Sequence, residues 1–395
     1  MENKLPEGWE WKKLDEVSYI IMGQSPPGDT YNEKGNGMPF LQGKAEFTDS
    51  CPKHVKYTTN PSKVAPEGSI LISVRAPVGD VNIANLEYCI GRGLASISLK
   101  EGNNKFLFYL LRSLKPEIES KGTGSTFKAI SKSILSDLII PLPPLEIQQK
   151  IVAILEKAEE TKKLRAQADE LTQKFLQSVF LEMFGDPVKN SKQFDIVQLK
   201  SVFSEKKEGT KCGPFGSALK KHEYVENGIP VWTMDNITEN KFTRNGCLFI
   251  TEEKYQELKA YSVGEGDILI SRAGTVGKMC VVNSIDDPSI ISTNLIRLSL
   301  NPSKIEAIYF TSLMTYFKGK MGRLKTGEDG TYTFMNTGIL KDLRIPLPPF
   351  EIQRSFAKIV EQVEKTRYSQ QQSSLEINNL FDVLMQKAFA GELVS

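Results

Sequence analysis

Two histidines, His54 and His222, are the whole imidazole complement of this 395-residue chain. A histidine-based triad or a zinc site would have to use one of them, and metal ligands come in clusters. His54 stands in Cys51-Pro52-Lys53-His54, a lone CxxH that reads as a surface turn. The five cysteines, at 51, 89, 212, 247 and 280, are never closer than 33 residues, so neither a disulfide framework nor a CxxC knuckle is suggested. Phosphate-cradling loops are missing too. Gly274-Thr275-Val276-Gly277-Lys278 and Gly122-Thr123-Gly124 have the wrong lengths for GxxxxGK[ST] or for a strand followed by GxGxxG. The 48 acids are spread evenly and give no preferred pair for acid-base work. Chemistry has no visible address, which turns attention to binding.

One near miss is Ser25-Pro26-Pro27-Gly28. Amino-methyltransferases hold a flipped base with Asp, Asn or Ser followed by Pro-Pro and an aromatic. Here glycine replaces the aromatic on which the base would stack, and no glycine-rich cofactor strand precedes it.

The elements that position the remaining polar residues come in two copies. LIIPLPPLEIQ at 138–148 and LRIPLPPFEIQ at 343–353 agree at nine of eleven positions at an offset of 205. Gly68-Ser69-Ile70-Leu71-Ile72-Ser73 is echoed by Gly266-Asp267-Ile268-Leu269-Ile270-Ser271, and Val78-Gly79 by Val276-Gly277, at an offset of 198. Tyr31 with Gly37-Met38-Pro39 pairs with Tyr224 and Gly228-Ile229-Pro230, while the residues between mostly differ. The skeleton is shared and the decoration is not.

Each copy ends in a long helix. Pro143-Pro144 and Pro348-Pro349, with Glu146 and Glu351 in the first turn, mark the starts, and Gly185-Asp186-Pro187 and Gly391 mark the ends. About forty residues at about 1.5 Å each gives roughly 60 Å. In the second helix Ile352, Phe356, Ile359, Val363, Thr366, Gln370, Ser373, Ile377, Leu380 and Leu384 follow the four-three spacing of a coiled-coil seam. The first helix has a looser seam of Ile147, Ile151, Ile154, Ala158, Thr161, Ala168, Phe175 and Val179, thickened by Leu164 and Leu171. Two copies of one unit carry these helices, so antiparallel packing about a pseudo-twofold axis is expected. The portions 1–137 and 186–342 read as mixed α/β, with short strands at Ser69–Val74, Asp80–Ala84, Ile268–Ser271 and Met279–Asn283 and helices at Lys105–Leu114 and Lys304–Phe317. No clean βαβ alternation supports a doubly wound sheet.

Composition bounds the rest. Forty per cent apolar and 25% charged residues exclude global disorder, and 50 basic against 48 acidic residues are too balanced for coating nucleic acid by bulk charge. No run approaches the ~18 apolar residues of a membrane span, the start is not a signal peptide, and an odd cysteine count suits reduced thiols. A soluble cytoplasmic protein without membrane contact is expected.

The duplicated units, the PLPP-x-E-I-Q motif before a long helix, GDILIS with a downstream VG, and the terminal Phe389-Ala390-Gly391-Glu392-Leu393 together resemble the specificity subunits of type I restriction-modification systems. The resemblance covers essentially the whole chain. It implies an α+β fold of two pseudo-twofold-related target-recognition domains, 1–137 and 186–342, separated by two long antiparallel helices in a coiled coil, 138–185 and 343–395. It implies a non-catalytic, phage-defence subunit that reads a bipartite double-stranded DNA target and docks two methyltransferase subunits and, through them, restriction/translocase subunits. S-adenosylmethionine, ATP and Mg belong to those partners, and this chain binds no cofactor or metal. A self-contained DNA adenine methyltransferase and a coiled-coil organiser without specific DNA binding are the alternatives.

Under that resemblance the first domain carries 17 basic and 16 acidic residues and the second 21 and 19, so DNA contacts must be placed individually. In the first domain Gln24, Ser25, Gln42, Lys44, Arg75 and Arg92 lie in Gly/Pro-punctuated loops beside strand ends. In the second Lys211, Lys220, Lys221, Trp232, Asp235, Asn236, Arg272 and Thr275 occupy comparable loops; Trp232, two residues after Pro230 in an apolar run, equally suits a core. The Gly/Thr/Ser/Lys-rich segments Lys121–Lys132 and Arg323–Asn336 add Lys128, Arg323, Lys325 and Tyr332 as phosphate-binding candidates. Exposed helix faces, with Glu156, Glu159, Glu361 and Glu364, are the expected methyltransferase-docking surface.

Overall fold

The computed structural model describes residues 5–124, 128–215, 218–238, 241–242, 246–272, 278–283, 288–318 and 337–394. Packing divides the chain into two units, Met1–Gln167 with Gln371–Ser395, and Ala168–Gln370. The helices are therefore not domains of their own. Each unit takes half of each long helix into its core, a division that chain order alone conceals.

In the first unit the apolar run Ile70–Ser73 becomes an inner strand of an antiparallel sheet ordered Ser18–Met22, Leu94–Leu99, Ile70–Ser73, Val81–Ile83. Both faces of this sheet are covered, which is why the run is continuously apolar rather than alternating. Ile70, Ile72, Ala95 and Ile97 enter the main core. Leu71 and Leu94, pointing the other way with the period of two, join Leu41, Tyr88 and Ile90 in a second cluster. The main core is closed by the helix Asn104–Ser113, capped by the Asn103 side chain accepting from the Lys105 N–H and burying Phe106 to Leu111. Five short strands make a second sheet, in which Met38–Leu41 runs parallel to Tyr88–Ile90. Glu10–Lys13 pairs with Ile139–Leu142.

The second unit repeats the plan. Its four-stranded sheet is ordered Thr210–Cys212, Leu295–Leu298, Ile268–Ser271, Met279–Val281. Ile229–Trp232 again runs parallel to a short strand, Ile290–Ile291, and Asp195–Gln198 pairs with Arg344–Leu347. The helix Ala307–Lys318 takes the place of Asn104–Ser113.

The repeated motif now has a physical reason. Gln148 and Gln353 are buried, at 3% and 0% exposure. Gln148 donates to the Pro143 carbonyl at 2.8 Å and accepts from the Asn103 N–H at 2.8 Å. Gln353 donates to the Pro348 carbonyl at 2.8 Å and accepts from the Glu306 N–H at 2.9 Å. One amide thus fastens the Pro-Pro turn to the chain entering the neighbouring helix, satisfying two buried backbone groups whose orphaning costs about 1–3 kcal/mol each.

The long helices are Leu145–Phe184 and Phe350–Ala390, as the proline and glycine signals predict. In the second unit the halves run antiparallel, since Thr172 meets Gln370 while Phe180 and Phe184 meet Phe356. The seam departs from the sequence reading. Leu164, Leu171, Phe175 and Leu380 are 58%, 65%, 51% and 56% exposed, and Phe381, Met385 and Ala388 are buried instead. The middle of the seam is polar, so short-range periodicity there could not tell a packed face from an open one. Among the described residues no helix is long and apolar enough to cross a membrane.

Candidate nucleic-acid interface

In the first unit, backbone hydrogen bonds bring separated loops to one end of the four-stranded sheet. The Gly23 N–H donates to the Leu94 carbonyl at 2.9 Å, Gln24 to Ile90 at 2.9 Å, Gly91 to Leu41 at 2.8 Å, Val74 to Gly93 at 2.9 Å, and Ile130 to Val74 at 2.9 Å. Gly23 is required by proximity, because a Cβ there would overlap the Gly91 carbonyl. The chain segments carrying Gln24, Ser25, Gln42, Lys44, Arg75, Arg92 and Lys128 therefore converge on one rim. Gln24, Gln42, Lys44, Arg75, Arg92 and Lys128 are exposed and Ser25 is half-buried.

Their environments differ. Gln42 accepts from Lys56 at 2.8 Å, and Lys128 donates to the Glu119 carbonyl at 3.2 Å. Lys44 and Lys115 each reach Asp80 at 2.7 Å. Burial works against ionising Asp80, but the Lys115 and Lys44 ammonium groups prevail and hold its carboxyl below the usual value. Asp80 thereby orients Lys44. Arg75 and Arg92 make no side-chain hydrogen bond or ion pair among the described residues, which leaves their guanidinium donors available to phosphates or guanine edges.

The second unit assembles the same rim. The Gly213 N–H donates to the Leu295 carbonyl at 3.0 Å, Arg272 to Asn294 at 3.0 Å, and Ser292 to Trp232 at 2.8 Å. The Thr293 hydroxyl donates to the Pro214 carbonyl at 2.7 Å. A Cβ on Gly213 would overlap the Ser292 carbonyl, as at Gly23. Arg272 and exposed Asp235 belong to this rim, whereas other sequence candidates do not. Asn236 is fully buried, and its Oδ1 accepts from both the Thr233 N–H and hydroxyl at 2.9 Å. It closes a turn rather than facing a groove, because the amide at the third position of the short helix Met234–Asn236 reaches back to the N–H of its cap residue, Thr233. Trp232, 6% exposed, packs in the core with Leu269 and Ile291. Lys211 sits in a strand, 3.0 Å from Glu208 and over the Tyr261 ring. Lys220 and Lys221 are exposed at a separate turn whose Glu223 pairs with Lys254. Thr275, Arg323, Lys325 and Tyr332 lie outside the described residues.

Sequence reasoning missed Phe215, 55% exposed on this rim, and exposed Thr293 and Asn294. Aligning Gly91-Arg92-Gly93-Leu94 with Ser292-Thr293-Asn294-Leu295 would have found the latter two, because both turns precede equivalent strands.

The expected docking carboxylates are not equivalent. Glu159 accepts from the Tyr109 hydroxyl at 2.8 Å and pairs with Arg112 at 2.7 Å, and Glu156 pairs with Lys105, so both fasten the first unit's own helices. Burial, helped by the Glu159 carboxylate, pushes the Tyr109 hydroxyl up and keeps it a donor. Glu361 is exposed and, with Glu364, Lys365 and Tyr368, lines an open groove of about 540 Å³; Glu364 also pairs with Arg367 at 2.7 Å. A cleft of about 560 Å³ at Pro348-Pro349 is mainly apolar, with Phe194, Val202, Leu347 and Phe350 in its wall. Among the described residues no three His, Cys, Asp or Glu side chains group as metal ligands.

Comparison with known proteins finds the same duplication. The chain is 51% identical over 175 residues to the type I restriction enzyme MjaX specificity subunit of Methanocaldococcus jannaschii, a match spanning 43% of this chain and 41% of that one. It is 23% identical over 386 residues to the MjaVIII specificity subunit of the same organism, covering 91% and 87% of the two chains. The type I restriction-modification system S subunit from M. genitalium shares its fold, with a TM-score of 0.61, 20% identity and 98% of both chains covered. The type I restriction modification DNA specificity domain model matches residues 6–173 and again 192–379, and with two copies over most of its length the chain belongs to that family.

Proposed function

We propose that this chain is the sequence-reading and scaffold subunit of a cytoplasmic type I restriction-modification complex, with each unit reading one half of a split double-stranded DNA target. The observation that carries this reading is the rim itself. Two copies of one sheet each bring at least four distant loops to the same strand end, on a conserved backbone, with different side chains displayed: Gln24, Lys44, Arg75 and Arg92 in one, Phe215, Asp235, Arg272 and Asn294 in the other. A shared fold with divergent groove-facing groups is what two different half-sites demand. Phosphate contacts set register and orientation, and the few groups on the rim read base edges.

The long helices serve as the spacer, so the gap between half-sites is fixed and each extra base pair would displace the second half-site by about 3.4 Å with a rotation. Two methyltransferase subunits dock on exposed helix faces, for which Glu361, Lys365 and Tyr368 are better placed than Glu156 or Glu159. Methyl transfer with S-adenosylmethionine, and ATP- and Mg-dependent translocation and cleavage, reside in partner subunits, and this chain contributes no catalytic group.

A methylation map of the host by single-molecule sequencing, with the gene present and deleted, tests the reading. Loss on deletion of a split motif with a modified adenine in each half is the expected result. Co-purification with a methyltransferase but an unchanged map would refute the recognition role.

A further inference from the structure

We propose that Phe215 and Arg272 form a composite base reader that makes the second unit select a guanine beside a thymine. This rests on the DNA-recognition reading above. The Arg272 guanidinium lies over the Phe215 ring, 4.8 Å from its centroid. Stacking holds the guanidinium plane and leaves in-plane donors to meet the O6 and N7 acceptors of guanine. Its Nη1 is covered by the protein itself, while the residue as a whole is half-buried, so the base edge is met by the guanidinium's remaining donors.

Both residues are rigidly mounted. The Arg272 N–H is tied to Asn294, and the Phe215 loop is tied by Gly213 to Leu295, by Thr293 to the Pro214 carbonyl, and by Ala218 to the Phe215 carbonyl at 3.1 Å. Phe215 nevertheless keeps 55% of its surface open, enough to cover a thymine C5-methyl.

The fold itself does not need the pair. The position equivalent to Arg272, whose N–H makes the matching bond to the opposite turn, is Val74 in the first unit, buried at 2%. The loop equivalent to Phe215 carries Gln24 and Ser25 after Gly23 and no aromatic. The pair is an addition to a strand end that closes without it.

The test uses the full-length chain in complex with its methyltransferase subunits and duplexes of the mapped target in which each guanine is replaced by 7-deazaguanine, or each thymine by uracil. For the wild type, one 7-deazaguanine should weaken binding about tenfold and one neighbouring uracil about fourfold. Arg272→Met, which keeps the length but removes every donor, should abolish the first sensitivity and Phe215→Ala the second, leaving the other half-site's profile unchanged. The proposal is overturned if Arg272→Met keeps the full 7-deazaguanine effect. It is equally overturned if no 7-deazaguanine or uracil costs the wild type even twofold, a result that depends on no variant folding. A wild-type complex with no split target overturns instead the recognition reading beneath it.

Discussion

Where the first unit joins its inner strands with Ser69 and Ser96, the second uses Asp267 and Arg297 at the same two positions, since Ser96 faces Leu71 and Arg297 faces Leu269 in matching registers. The serine pair is a single buried hydrogen bond of 2.9 Å. The charged pair organises much more. Arg297, 3% exposed, donates to the Glu208, Ala260 and Ser262 carbonyls, and Asp267, 2% exposed, accepts from Ser299 and Lys207 at 2.6 Å and from the Gly264 N–H at 2.7 Å. Burial lowers the Arg297 pKa despite the neighbouring Asp267 and Glu208 carboxylates. The sheet thus needs only a small polar contact at this point, and the second unit has made it a tie for three loops.

The strongest way to break this contrast is Asp267→Ala, which strands Lys207, Ser299 and a backbone N–H near a buried guanidinium. Loss of about 3–5 kcal/mol from the second unit is expected, against about 1 kcal/mol from the first unit for Ser69→Ala. Hydrogen exchange of the Ile268–Ser271 and Ile70–Ser73 strands, read by mass spectrometry, separates the two. Similar losses in both units would mean that the charged network adds nothing beyond the serine bond.

Where the units are alike, their responses should be alike. Gln148→Ala and Gln353→Ala each orphan a helix-entry N–H and a proline carbonyl, and each should cost its own unit about 1–3 kcal/mol. Urea-dependent exchange in the helices Asn104–Ser113 and Ala307–Lys318 would check this, and a cost confined to one unit would show that the motif is not doing the same job twice.

The smallest effect concerns Asp80, whose place in the second unit is taken by Lys278, each N–H bonding to the matching serine hydroxyl, Ser73 or Ser271. The folded pKa of Asp80 is lowered, so its pairs with Lys115 and Lys44 stabilise fully above about pH 4, the unfolded value, and fade as pH falls through the folded one. Asp80→Asn should cost about 1 kcal/mol at neutral pH and flatten the acid limb of first-unit stability, measured by exchange of Val81–Ile83 across pH 2.5–6. The second unit's acid limb should not move.

Much of this was legible in one dimension. The two equivalent rims rest on strands whose apolar runs stand out in the sequence, and six first-domain candidates chosen from loop punctuation do meet at one strand end. Asn236 was misjudged, and Trp232 was left open between core and contact, because a polar or aromatic residue after a strand looks the same whether the next loop covers it or not. Phe215 went unnoticed because its partner, Arg272, is 57 residues away.

The sequence by itself determined the duplication, the long helices and their ends, and the Pro-Pro-x-Glu-Ile-Gln clamp, because identity, capping and proline geometry act over a few neighbouring residues. The tertiary structure alone decided which helix face is buried, that Glu156 and Glu159 are tied to the first unit's own helix, and which rim side chains stay open. Those outcomes depend on which distant segment arrives to claim each group, and no local pattern carries that information.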